Sequence, residues 1–383
     1  MKKIAFLSFF VLVAFSNFCQ TNYYQLISEG KKLQKDQKIK EAIEKFKAAE
    51  TLKPKEDEAI YWIGWCYNDL KEYANAIAAL KKAPLPFSKR INNELGYAYK
   101  KLQLFNDAIE HFEKALLIDP DNYSTNNQLG GIYKEKNVYD KAIEYYKKCE
   151  EIANKEYNNL IRGEYKIEPI ENLIYCYNAS EKFNDAITIG EKGVKLKKTI
   201  FLFAELGFAF YKLKQNDKSI EAYKNALLIE PKYATAYKGI GDVYRRNFSP
   251  AKVNEAMESY KKAIEYNPNS AGSNFGLGWC YNEQSKYADA ITYLNKALTL
   301  DSKMVAGYTE LGYAQYMQSQ NNEAINTFKQ GIALDNKNKL CKYYLGLVYV
   351  KIKDKANAQK LVNELYTLDQ PLSTKLKAKV DVL

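Results

Sequence analysis

A single histidine, His111, stands in a chain of 383 residues. No dense cluster of aspartate, glutamate or cysteine accompanies it. A histidine-based metal site and a Ser-His or Cys-His nucleophile both need an imidazole held by partners, so the sequence argues against each. Carboxylates occur in runs at Glu56-Asp57-Glu58 and Glu150-Glu151. They fall at helix ends and lack the partner set that acid–base work requires. The six cysteines match no zinc or haem spacing. Neither an enzyme nor a cofactor is expected. The remaining chemistry is recognition, and the groups for it are rings and amides. The chain has 33 tyrosines, 17 phenylalanines and 3 tryptophans. Rings supply contact area at small entropic cost, and side-chain amides both donate and accept.

The elements that must position these groups repeat. The stretch Asn92–Pro120 reads NNELGYAYKKLQLFNDAIEHFEKALLIDP. Gly96 follows Leu95 and precedes Tyr99. Ala108, Phe112 and Ala115 recur at helical spacing, and Pro120 stops the second helix. Small anchors like Gly96 return at Gly30, Gly64, Gly130, Gly207, Gly241, Gly278, Gly312 and Gly346, with Ile174 in one unit. Second-helix anchors run from Ala42 and Ala76 to Ala324 and Ala358. The Leu-Gly, the Tyr, the small-x3-aromatic and the closing Pro at a period of about 34 residues resemble the tetratricopeptide repeat (TPR) family.

The resemblance implies an all-α fold, an α-α superhelix of about ten helix-turn-helix repeats. The expected units are 23–56, 57–88, 89–122, 123–156, 167–199, 200–233, 234–270, 271–304, 305–338 and 339–372. Residues 157–166 form an insertion, read as a helix extension and a loop around Arg162-Gly163. Residues 371–383, with Leu372, Leu376 and Val380 at helical spacing, form a C-terminal cap over the last apolar face. Close approach of the paired helices is expected where Gly96 meets Ala108, with rings such as Phe112 filling the wedge between units. The fifth unit, with Ile174, Gly190 and Gly193 at off-pattern positions, is expected to pack differently.

The first twenty residues carry Lys2 and Lys3, an apolar run from Ile4 to Phe15, and small or polar residues from Ser16. This is the pattern of a secretory signal peptide, so 1–20 is expected to be removed and the protein exported, periplasmic or secreted. The run is too short to span a bilayer, which takes about 20 residues, and no later segment could. Cys66, Cys176 and Cys280 occupy equivalent places and are expected to be buried thiols. Cys149 and Cys176 come from adjacent units, and an oxidising compartment would permit a disulfide there. The formal net charge is +11, with lysines dispersed over every helix, which is the pattern of solvated helix faces. Nucleic acid is not an expected partner, because export separates the two.

In the resembled family the first helices line a concave groove, and ligands are often held just after the glycine anchor and one turn to either side. In this register the residues after the anchor are Trp65, Tyr97, Tyr175, Phe208, Trp279 and Tyr313. One turn earlier stand Tyr61, Asn93 and Asn127, and one turn later Asn68 and Asn282. The resemblance thus implies a non-catalytic scaffold that binds an extended peptide or partner protein. A glycan, stacked on rings and held by amides, is the alternative. The clamp with which some members grip acidic chaperone tails uses a fixed Lys, Asn and Arg set, which Lys31, Trp65 and Tyr97 do not reproduce. Arg245-Arg246 beside Asp242 is a local basic spot able to meet an acidic group.

Overall fold

A computed structural model describes residues 22–84, 88–159, 166–247 and 250–383. The signal segment and the Arg162-Gly163 loop therefore lie outside the described residues. Every regular element among the described residues is a helix. The first compact part ends at Glu181. It holds α1 (22–35), α2 (Ile39–Leu52), α3 (Asp57–Asp69), α4 (Tyr73–Leu80), α5 (Lys89–Lys101), α6 (Phe105–Ile118), α7 (Tyr123–Glu135), α8 (Tyr139–Asn159) and α9 (Glu168–Ala179). The second part begins at Lys182. It holds α10 (Phe183–Leu196), α11 (Ile200–Lys212), α12 (Asn216–Ile229), α13 (Ala234–Asn247), α14 (Val253–Tyr266), α15 (Ala271–Glu283) and α16 (Tyr287–Leu300). The chain then continues through α17 (Val305–Met317), α18 (Asn321–Leu334), α19 (Lys339–Lys351), α20 (Lys355–Leu368) and α21 (Gln370–Val380).

Within each part the anchor-bearing helices pack on one another in succession, α3 on α5 and α5 on α7, then α11 on α13, α13 on α15, α15 on α17 and α17 on α19. The second helices from α4 to α8 and from α12 to α18 pack on the anchor helices before and after them. The anchor helices of each part therefore form a row, and those rows are where the expected binding residues sit.

At Gly278 a Cβ would meet the Ala290 carbonyl at 3.3 Å, the expected close approach of the paired helices. The glycines have a further task beside that one. A Cβ on Gly96 would lie 2.7 Å from the Phe112 ring, so the glycine makes room for the ring sixteen residues later. The same relation joins Gly30 to Phe46 at 2.5 Å and Gly312 to Phe328 at 2.5 Å. Tyr223 and Tyr260 are pressed from both sides. A Cβ would meet Tyr223 at 2.8 Å from Gly207 and at 2.3 Å from Gly239 of the next repeat. For Tyr260 the values are 2.8 Å from Gly241 and 2.2 Å from Gly276. These rings fill the wedge between repeats, as the sequence indicates. In the fifth unit the order is exchanged. Ile174 stands at the glycine position and Gly190 sixteen residues on, both buried, so one large and one small residue are retained.

Every first helix whose following turn is described ends the same way. The residue seven after the anchor is left-handed, from Gln37 through Lys71, Gln103 and Asn137 to Lys353, with φ near 60°. The turn closes with Glu72 N–H donating to the Tyr67 carbonyl at 2.8 Å and Lys71 N–H to Asn68 at 3.0 Å. This is the bonding of a helix C-terminal cap that favours glycine, yet none of the nine is glycine. Lys71→Gly is therefore expected to stabilise the protein by about 0.5–1 kcal/mol, the left-handed penalty less glycine's entropy. A denaturant midpoint that moves down would contradict this.

At the C-terminus Leu376 and Val380 are fully buried, and a Cβ on Gly346 would lie 2.4 Å from Leu376. Helix α21 thus covers the face that a further repeat would otherwise occupy. All five described cysteines are buried and unpaired. The Cys149–Cys176 disulfide is not formed; Cys149 instead donates to the Tyr123 carbonyl at 3.6 Å. Burial pushes its thiol up to about 12, which keeps it protonated at neutral pH.

Candidate binding groove

Among the described residues, a cleft opens on the anchor helices of each part. The first, of about 380 Å³, lies between α3, α5 and α7 and is lined by Trp65, Asn68, Asp69, Asn93, Glu94, Tyr97 and Gln128 among others. The second, of about 310 Å³, lies between α15, α17 and α19 and is lined by Asn282, Glu283, Thr309, Glu310, Tyr313 and Tyr344 among others. The two are built from the same register positions. Asn68 corresponds to Asn282, Asp69 to Glu283, Glu94 to Glu310 and Tyr97 to Tyr313, each counted from its own glycine.

The rings stand where the register places them. Trp65, Tyr97, Trp279 and Tyr313 are half-buried, and Tyr175 and Phe208 are exposed at 39% and 36%. Trp65 meets Trp62 edge-on at 6.0 Å. Tyr97, Phe208 and Tyr313 each take an edge-to-face partner from the preceding second helix: Tyr73 at 6.3 Å, Phe183 at 6.2 Å and Tyr287 at 6.1 Å. Three of the rings also carry a cation of their own chain, Lys101 over Tyr97 at 5.2 Å, Lys134 over Tyr175 at 5.4 Å and Lys212 over Phe208 at 5.7 Å. Tyr61 packs on Trp62 at 5.1 Å with the Arg90 guanidinium 5.7 Å from its ring. Asn93 accepts from the Thr125 hydroxyl at 2.8 Å, and Asn127 is half-buried on α7.

Two of the expected amides depart from the pattern. Asn68 and Asn282 are 5% exposed and turn toward the next anchor helix. Asn68 Nδ2 donates to the Glu94 carbonyl at 3.1 Å and to Glu94 Oε2 at 2.8 Å. Asn282 Nδ2 makes the same pair with Glu310, at 3.1 and 2.9 Å. Their donors are spent inside the protein because the neighbouring helix offers a carboxylate at the matching height. Burial raises both glutamates above the ordinary carboxylate range, with the asparagine bonds offsetting part of it.

These glutamates were not among the expected site residues, though a signal for them exists. The run Glu-Leu-Gly-aromatic occurs at 94–97, 205–208 and 310–313, each time one repeat after W/Y-Cys-Tyr-Asn at 65–68, 175–178 and 279–282. The repeats thus come in groups of three. In the remaining class the position after the anchor is Lys31, Gly131, Asp242 or Leu347, so the aromatic stripe is interrupted at every third repeat.

Asp242 supports a network of its own. It accepts from the Tyr260 hydroxyl at 2.7 Å and from Lys238 at 2.7 Å, while Arg245 Nε donates to the same hydroxyl at 3.0 Å. The Arg245 guanidinium covers Phe275 at 5.3 Å and Trp279 at 5.8 Å. Burial would raise Asp242, but Lys238, Arg245 and the Tyr260 bond outweigh it and hold the carboxyl below its usual range. Arg245 is thus committed internally and does not form the expected basic spot; Arg246 lies over Tyr211 at 5.9 Å.

Models of the tetratricopeptide repeat match residues 28–88, 90–122, 123–156 and 259–292, and a TPR repeat model matches 207–247, together over half of the chain. The chain is a tetratricopeptide repeat protein. Among relatives of this TPR protein, Hsp70-Hsp90 organizing protein 3 of Arabidopsis thaliana is 24% identical over 249 residues, covering 63% of this chain and 41% of its own length. Stress-induced-phosphoprotein 1 of Caenorhabditis elegans is 23% identical over 245 residues, covering 64% of this chain and 72% of its own. The chain therefore spans about two fifths of the plant relative. Among solved structures, Pseudomonas aeruginosa pilF superposes with a TM-score of 0.50 at 16% identity, over 56% of this chain and 97% of its own. That likeness concerns the TPR fold alone. Among the described residues no helix is long and apolar enough to cross a membrane.

Proposed function

We propose that this TPR protein is a non-catalytic scaffold that binds an extended segment of a partner protein along its anchor helices. The observation that carries the reading is the row of rings facing out of successive first helices, with Asn93 and the two clefts between them. The repeats are held together chiefly by the buried rings Phe46, Phe112, Tyr223, Tyr260 and Phe328, while Trp65 and Trp279 pack only partly on their cores and Tyr175 and Phe208 stay exposed. Relatives that carry Hsp70-Hsp90 organizing in their names support a protein partner. The glycan reading is weaker, because lysine or arginine side chains already lie over Tyr97, Tyr175, Phe208 and Trp279, where a sugar would stack. Export, read from residues 1–20, would put the partner in the cell envelope.

Substituting Trp65, Tyr97 and Phe208 by alanine tests the assignment in pull-downs from the native source. The partner recovered with the unmodified chain is expected to be lost, at least tenfold, while the helical circular dichroism spectrum stays. Recovery at the original level would remove the groove from the account.

A further inference from the structure

The two clefts share a property beyond their rings. Their buried, unpartnered hydrogen-bonding atoms are acceptors. Asn68 Oδ1 and Asn282 Oδ1 are buried and accept nothing, although both residues are about nineteen-twentieths buried. Glu94 and Glu310 each accept from one asparagine through Oε2 and make no ion pair. A second carboxylate, Asp69 or Glu283, lines the same cleft. The cations near the clefts are hydrogen-bonded to other groups: Lys100 donates to Gln128 at 2.9 Å, and Arg245, which acts on Glu310 only through space, is bonded in the Asp242 network.

Burial of an uncompensated carboxylate costs stability, and here the cost is taken twice, at the same register, in each compact part of the chain. Asparagine and glutamate recur at the same two sequence positions in a third place, 178 and 205. Helix packing alone does not ask for it, since other repeats fill the glutamate position with Trp62, Gly239, Gly276 or Tyr344. In a chain of formal charge +11, these are acidic recesses in a basic surface.

We propose that each cleft takes one basic side chain of the partner segment, a lysine ammonium or an arginine guanidinium. Such a group has donors and no acceptors, which complements the buried Asn68 and Asn282 oxygens and the glutamates beside them. It supplies the positive charge that Glu94 or Glu310 lacks, and its alkyl stem lies against Tyr97 or Tyr313 as it enters. The inference rests on the groove reading above and gives that groove a partner chemistry: a basic segment, not an acidic tail. The like charge of the surrounding surface makes the selection local, because charges beyond about 8 Å are screened at physiological salt.

The test uses the full chain and two probes, acetylated penta-lysine and acetylated penta-glutamate, titrated by isothermal calorimetry. Glu94→Gln and Glu310→Gln are made singly and together, since glutamine keeps the bond from asparagine and removes the charge. The expected result is that penta-lysine binds the unmodified chain, each single variant loses about half of the sites, and the double variant binds at least tenfold more weakly. Penta-glutamate does not bind. Thermal melts of the variants show that they fold. Equal binding of penta-lysine to the double variant, or none to the unmodified chain, overturns the inference. The groove reading is judged separately. A native partner that needs Trp65, Tyr97 and Phe208 but is indifferent to Glu94→Gln/Glu310→Gln would leave that reading standing and sink this one.

Discussion

Replacing Arg245 with methionine is expected to cost about 3 kcal/mol of stability at neutral pH, the loss typical when one partner of a buried charge pair is removed. The side chains of Arg245 and Asp242 are only 14% and 18% exposed. Without the guanidinium, Asp242 keeps Lys238 at 2.7 Å and the Tyr260 hydroxyl, which places the cost at the lower end of that range. Methionine fills the volume over Phe275 and Trp279, so the effect reads charge more than packing. The pH dependence separates the two. The folded Asp242 carboxyl is held below its usual range, so its contribution is fully present above the unfolded value near 3.9 and is lost as pH falls through the folded value. The difference between native and variant should therefore shrink as pH is lowered below about 4. A difference that persists unchanged in acid would assign the cost to packing.

Gly239→Ala is expected to destabilise by about 3 kcal/mol, at the upper end of what overpacking costs. The new methyl would lie 2.3 Å from Tyr223, and Tyr223 is 4% exposed with Gly207 against its ring. A ring held from both sides cannot step back without parting α11 from α13. Gly131→Ala is the matched control. It sits in the same kind of helix, and its methyl would meet the end of Lys100 at 3.3 Å and the Tyr146 hydroxyl at an ordinary contact distance of 3.9 Å. There alanine should stabilise by about 0.5–1 kcal/mol, the helix-propensity difference. Guanidinium melts followed at 222 nm check both. Similar values for the two variants would show that glycine is kept for propensity or chance, not for the ring.

The contrast between these glycines explains what could be read from the sequence. A small residue paired with a large one sixteen residues later is a packing rule that recurs along the chain, with a ring in five units, leucine at Leu80 and Leu294, and the order exchanged at Ile174 and Gly190. The same register located Trp65, Tyr97, Tyr175, Phe208, Trp279 and Tyr313 on the anchor helices. What it missed was which polar groups would find each other. Asn68 reads as a free amide until Glu94 of the following helix is seen 2.8 Å away, and Arg245 reads as surface charge until Tyr260 and Trp279 are seen around it. Those partners come from neighbouring helices whose relative height the 34-residue period does not specify to an ångström. The grouping by threes was present in the sequence, in the paired W/Y-Cys-Tyr-Asn and Glu-Leu-Gly runs. It is visible only when repeats three apart are compared with each other and not with the family pattern.

The most direct measurement of the central claim places a photo-activated cross-linking residue at Phe208 in one variant and at Tyr366 in another, in the native cells. Phe208 is an exposed ring of an anchor helix, while Tyr366 is more exposed, at 62%, on the second helix α20. Binding along the anchor helices predicts a discrete polypeptide adduct from position 208 and none from position 366. Adducts from 366 equal to or exceeding those from 208 would contradict the account, since the partner would then be meeting the second helices instead.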